Sequence, residues 1–96
     1  MTINKTIEGS VVTLAIAGWL DTSTTPEFAS ALLDLGDSCE KLVIDLAELE
    51  YISSAGLRQL VSAHKQMKGN LTIANVPVEV MQVLRMAGFD KRLNIV

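Results

Sequence analysis

The feature that most constrains this chain is a change of apolar period along its length. Val12, Leu14 and Ile16 alternate with Thr13, Ala15 and Ala17, the period of a strand with one covered face. Phe28, Ala31, Leu32 and Leu35 then follow at helical spacing. Leu42-Val43-Ile44 returns to strand as a continuous apolar run, which suits a central position covered on both faces. Leu57, Leu60, Val61 and His64 form a second helical stripe, with Arg58, Gln59, Ser62, Lys65 and Gln66 on the other side. Leu71 to Ala74 reads as a short strand, Val80, Met81, Leu84 and Ala87 as a third stripe, and Leu93 to Val96 as a last strand. Strands separated by helices need right-handed crossovers onto a common sheet. The pattern therefore predicts an α/β fold of order ββαβαβαβ, a mixed four- to five-stranded sheet with its helices packed mainly on one face.

Turn chemistry agrees with these boundaries. Ile3 and Ile7 belong to a half-buried first strand, and Gly9-Ser10 suits a two-residue type II′ hairpin into the second. Thr25-Pro26-Glu27 reads as a helix start, with Thr25 as a hydroxyl N-cap and proline at the first helical position, and Gly36 as its stop. Ser53-Ser54-Ala55-Gly56 opens the second helix, Lys65 and Lys68 favour its C-terminal end, and Gly69-Asn70 terminates it. Pro77 opens the third helix and Gly88 closes it.

A chain of 96 residues is expected to form one domain, residues 1–96, without an interdomain cleft. With 49% hydrophobic and 20% charged residues it is too apolar for disorder. Eight Lys and Arg against eleven Asp and Glu leave a net charge of −3, which argues against the basic face that nucleic acid requires. Cys39 is the only cysteine, so an internal disulfide is excluded and the spacing of a structural zinc site is absent. Met1 to Lys5 carries no basic segment leading into an apolar stretch, and no apolar run approaches the roughly 20 residues of a membrane span. The expectation is a cytoplasmic protein without membrane insertion.

Convergent catalytic groups are scarce. GxSxG, GxxxxGK[ST], GxGxxG and HExxH are all missing. His64, the single histidine, lies on or beside an apolar stripe, where a structural role is the plainer reading. Cys39 has Asp37 and Glu40 for neighbours instead of the cations that favour a thiolate. Met67, Met81 and Met86 fall at or near core spacing and read as core filling, although Val83 and Met86 also lean away from the main stripe of the third helix. The chain is expected not to be an enzyme, and to hold no metal or cofactor.

The informative segment runs from Val43 to Arg58, joining the expected central strand to a helix start, and ligand sites in parallel sheets lie beyond the carboxyl ends of strands. Ser53 is placed to cap the helix by accepting a hydrogen bond from the amide of Ala55 or Gly56. Ser54 is then the first helical residue, its hydroxyl free to project outward. Phosphate there adds about −1.5 to −2 charges where the helix dipole accepts negative charge. Asp21, Glu48 and Glu50 are expected to make this end of the fold acidic.

At this point the sequence resembles the STAS domain, in particular the bacterial anti-sigma factor antagonists. Ile44-Asp45-Leu46, then six residues, then Ser53-Ser54-Ala55-Gly56-Leu57 is similar to the family's Asp-Leu strand end and its Asp-Ser-Ser/Thr/Ala-Gly-Leu helix start. Gly18-Trp19-Leu20-Asp21, with Thr24 to Phe28, resembles the segment before the family's first helix, and Val80 to Phe89 its C-terminal helix. The resemblance spans nearly the whole chain. It implies a STAS-like domain in a phosphorylation-controlled regulator that, when unphosphorylated, binds an anti-sigma factor serine kinase.

By that resemblance Ser54 is the phosphoacceptor, and Asp21, Ser53, Ser54, Ala55, Gly56, Leu57 and Arg58 belong to the partner-binding face. ATP and magnesium would be carried by the kinase, and a PP2C-type phosphatase would reset the switch. Ser53 stands where the family's commonest pattern has an acid, and serine and aspartate are comparable N-caps. A second expectation keeps the fold and drops the switch. The chain would then be a scaffold subunit of an ABC-type lipid transport complex or other signalling complex, binding through Arg58, Gln59 and the exposed side of the same helix.

Overall fold

The computed structural model describes residues 1–96. Strand β1 (Thr2–Glu8) turns at Gly9-Ser10 into β2 (Val11–Leu20), its antiparallel neighbour. Gly9 has φ +63° and Ser10 is not among the positive-φ residues, which matches the type II′ expectation. Helix α1 (Thr25–Leu33) leads to β3 (Lys41–Asp45) and β4 (Leu49–Ile52), followed by α2 (Ser54–Gln66), β5 (Leu71–Ala74) and α3 (Val78–Met86). A single 3₁₀ turn over Phe89–Lys91 precedes the C-terminus.

The sheet is mixed and five-stranded, in the order β1-β2-β3-β5, with β4 also pairing to β2. Parallel register sets Val12 beside Leu42 and Leu42 beside Leu71, and likewise Leu14, Ile44 and Ile73. All six are buried. These rows form the floor on which Phe28, Leu32, Leu57, Leu60, Val80 and Leu84 from the three helices close one core of 20 apolar residues. No polar or charged residue is buried. The chemistry of the protein therefore sits on its surface.

Four details depart from the sequence expectations. Val43 is only half-buried, because no helix covers the sheet face it shares with the short side chains Thr13, Ala15, Thr72 and Ala74. Ile7 is exposed at the far end of the edge strand β1. The N-cap of α1 is Thr24, which places Pro26 at the second helical position, and Thr24 makes no side-chain cap bond. Leu93 to Val96 form a single parallel bridge, Ile73 to Ile95, instead of a strand.

Strand β4 is the element that the apolar pattern did not announce. It pairs in parallel with the far end of β2, Gly18 opposite Leu49, Trp19 opposite Tyr51 and Leu20 opposite Ile52. The register slips between Gly18 and Trp19, so Glu50 has no partner and the strand bulges. Gly18, at φ +94°, supplies the backbone conformation this bend needs. The bulge delivers Ile52 and Ser53 to the end of β2, and that placement builds the site.

Candidate functional site

Ser53 leaves β4 in extended conformation, φ −94° and ψ 174°, and its amide donates to the Leu20 carbonyl at 2.9 Å. Its hydroxyl accepts from the Gly56 amide at 3.2 Å and its carbonyl from the Leu57 amide at 2.9 Å. Ser53 is thus the N-cap of α2, with both of its oxygens engaged. Ser54 is the first helical residue, and its side chain is exposed with no hydrogen-bond partner within the protein. Two adjacent hydroxyls therefore have different fates, one spent on the fold and one presented to solvent.

Replacing Ser53 by alanine is expected to cost about 1 kcal/mol of stability in urea unfolding, the usual loss on removing a hydroxyl cap. Ser54→Ala is expected to stay within about 0.5 kcal/mol of wild type, the range for an unengaged surface position.

Gly56 and Leu57 are buried, Ala55 is half-buried and Arg58 is exposed, so the segment turns one side into the core and the other out. The buried side is tight. A Cβ on Gly56 would stand 2.7 Å from the Leu20 carbonyl oxygen and 2.8 Å from Cγ1 of Ile52. Only glycine lets the first turn of α2 rest on the ends of β2 and β4.

Asp21 follows Leu20 and enters the site from β2. Its carboxylate accepts from the Ser23 hydroxyl at 2.7 Å and from the amides of Ser23 and Thr24 at 3.0 and 3.2 Å. The Ser23 hydroxyl, with support from those amides, holds the Asp21 carboxyl below the usual aspartate range. Its main-chain carbonyl accepts from Thr24 and Thr25. The carboxylate therefore organises the turn into α1, and the bond from Ser53 to Leu20 keeps that turn beside the start of α2.

The STAS domain profile matches residues 2–96. This chain belongs to the STAS family. A protein of Bordetella bronchiseptica, BtrV, assigned as an anti-sigma factor antagonist, is 30% identical over 93 residues, covering 93% of this chain and 78% of its own. The crystal structure of an anti-sigma factor antagonist from Mycobacterium paratuberculosis superposes with a TM-score of 0.88 at 23% identity, covering 98% of this STAS domain and 83% of that chain. The Bacillus cell fate determinant SpoIIAA, also an anti-sigma factor antagonist, is solved in two states. Its unphosphorylated form gives a TM-score of 0.77 at 13% identity, over 99% of this chain and 88% of that one. Its phosphorylated form gives 0.68 at 12%, over 99% and 91%. The likeness to the solved structures is one of fold. The named relatives are regulators of sigma factors, and no helix of this STAS domain is long and apolar enough to cross a membrane.

Sequence reasoning missed one feature of the neighbourhood. Trp19 and Tyr51, register partners across β2 and β4, make a tilted ring pair, with centroids 5.0 Å apart and planes inclined at 41°, and remain 55% and 46% exposed. They are half of the chain's four aromatic residues. Alternation of Leu49 with Tyr51 was the available signal, hidden by the bulge at Glu50. Of the other residues singled out, His64 is half-buried and Cys39 lies half-buried with its thiol 3.4 Å from the Lys41 carbonyl, both away from the start of α2. Met67 and Met81 pack on the core, whereas Met86 is exposed.

Proposed function

We propose that this STAS domain is an anti-sigma factor antagonist switched by phosphorylation of Ser54. Unmodified, it binds an anti-sigma serine kinase through the surface around Asp21 and Ser53 to Arg58; with phosphate on Ser54, it binds more weakly. The observation that carries this reading is the division between the two hydroxyls: Ser53 is engaged as a cap and Ser54 is exposed and unpartnered. The sigma-factor regulation named for BtrV, and the two solved states of SpoIIAA, support the same reading.

The chemistry asks little of this chain. The Ser54 hydroxyl oxygen attacks the γ-phosphorus of ATP held by the kinase, loses its proton to a kinase base, and ADP leaves. A PP2C-type phosphatase hydrolyses the resulting ester. The phosphate adds about −1.5 to −2 charges at the positive end of the α2 dipole, so the fold tolerates it. A docking partner matched to a neutral hydroxyl does not.

Incubated with its anti-sigma kinase and ATP–magnesium, the protein is expected to take one phosphate, mapped to Ser54 by fragment mass spectrometry. Ser54→Ala is expected to take none and still bind the kinase, while Ser54→Asp binds at least about tenfold more weakly, as a desolvated added charge would. Stoichiometric labelling of Ser53 with Ser54 untouched overturns the assignment. Kinase binding that ignores the charge at position 54 overturns the switch.

A further inference from the structure

An unpaired cationic groove opens along the exposed side of α2, starting one turn beyond Ser54. Arg58, Val61, Ser62 and Lys65 line it from the helix, and Phe89 and Arg92 from the C-terminal segment, around a volume of about 340 Å³. No carboxylate is among the lining residues, although acids outnumber cations eleven to eight in the chain. Three of those eight cations converge here from two separate elements. Arg92 stands 5.4 Å from the centroid of Phe89, so its guanidinium rests on an aromatic floor and is held toward the groove.

We propose that this groove docks an acidic segment of a protein partner. Arg58, Ser62 and Lys65 are spaced i, i+4 and i+7 on α2 and span about 10 Å at 1.5 Å per residue. Three or four extended residues, or two turns of a helix with carboxylates at the same spacing, match that length. Val61 and Phe89 give the segment apolar contact between the charges. Nucleic acid and an anionic bilayer need a broad basic face, which a chain of eight cations against eleven acids, three of the cations gathered in one groove, does not offer. A short acidic peptide needs only the groove.

Identifying this partner with the anti-sigma kinase rests on the function proposed above; the groove's preference for carboxylates does not. The two readings meet at Arg58. Residues four apart on a helix carry Cβ atoms about 5–6 Å from one another, so a phosphate on Ser54 is within reach of the Arg58 guanidinium. Phosphorylation then withdraws one of the three cations from the groove.

The test titrates ¹⁵N-labelled protein with a capped hexaglutamate peptide at low salt, with hexaglutamine as control. Amide shifts are expected at Arg58, Ser62, Lys65, Phe89 and Arg92, absent with hexaglutamine, and lost in Arg92→Glu and in Lys65→Glu, each weakening binding at least about tenfold. Both variants are checked for native spectra, and either alone suffices. Protein carrying genetically installed phosphoserine at position 54 is expected to bind the peptide more weakly, with that loss absent in Arg58→Gln. Shifts scattered over the surface, or affinity unchanged by both charge reversals, overturn the groove. Equal binding to a single-stranded oligonucleotide or to phosphatidylserine vesicles overturns the acidic peptide as its occupant. These outcomes need no kinase, so they stand apart from the phosphotransfer assay.

Discussion

Gly56→Ala is expected to destabilise the protein by about 2 kcal/mol, against the sign that helix propensity alone dictates. In an exposed helix the change gains about 1 kcal/mol, because alanine restricts the unfolded chain and glycine does not. Here the added methyl would meet the Leu20 carbonyl oxygen at 2.7 Å, Ile52 Cγ1 at 2.8 Å and Leu20 Cγ at 3.0 Å. Overpacking of that kind costs about 1–3 kcal/mol or more when the obstacle cannot move. The nearest obstacle is main chain, and that same carbonyl accepts the Ser53 amide. Relief by moving α2 outward breaks this bond and lifts Ser53 and Ser54 from the Asp21 turn. A fall in melting temperature of about 8–16 °C is expected by calorimetry, at roughly 4–8 °C per kcal/mol for a domain of this size. Adding Leu20→Ala should not rescue the variant, since it removes the Cγ contact and leaves the carbonyl.

This coupling explains why part of the site could be read in the sequence. Ser53-Ser54-Ala55-Gly56 is a local pattern: a hydroxyl cap, one free residue and a glycine whose amide returns to the cap. Everything it needs lies within four residues. The start of α1 was misplaced by one residue because four hydroxyl residues, Thr22 to Thr25, offer equivalent caps. The choice among them falls to Asp21, whose carboxylate takes the Ser23 and Thr24 amides and leaves Thr24 at the boundary. Strand β4 was invisible for a different reason. Its four residues pair with β2 only through a bulge and a left-handed glycine 31 positions earlier, a non-local fit that no window of sequence contains. At the C-terminus, Leu93 goes into the core and the chain then meets β5 for one bridge, so its apolar spacing reports packing without pairing.

The second large effect is expected at Phe28, in the helix that follows the Asp21 turn. Helix α1 has nine residues and no side-chain cap bond, well short of the ~12–15 residues at which even favourable sequences hold helix alone. Its stability comes from burial, and Phe28, fully enclosed, is its largest anchor, with Leu32 one turn on. Phe28→Ala removes the ring from a core that has no polar group to draw water into the space. Loss of transfer energy together with the cavity costs about 3–5 kcal/mol. A domain of this length holds about 5–14 kcal/mol in total, so the variant sits near the edge of folding. Its urea midpoint should drop sharply with the slope unchanged, since the surface exposed on unfolding is the same. Ser54 opens α2, two residues after the end of β4, and is no part of α1, so under the switch proposed above the folded fraction should still accept phosphate on Ser54 at the wild-type stoichiometry at low temperature. A folded Phe28→Ala that is not labelled would show that the α1 packing, and not only the Ser53 cap and the Gly56 contact, sets the geometry that the proposed phosphotransfer needs.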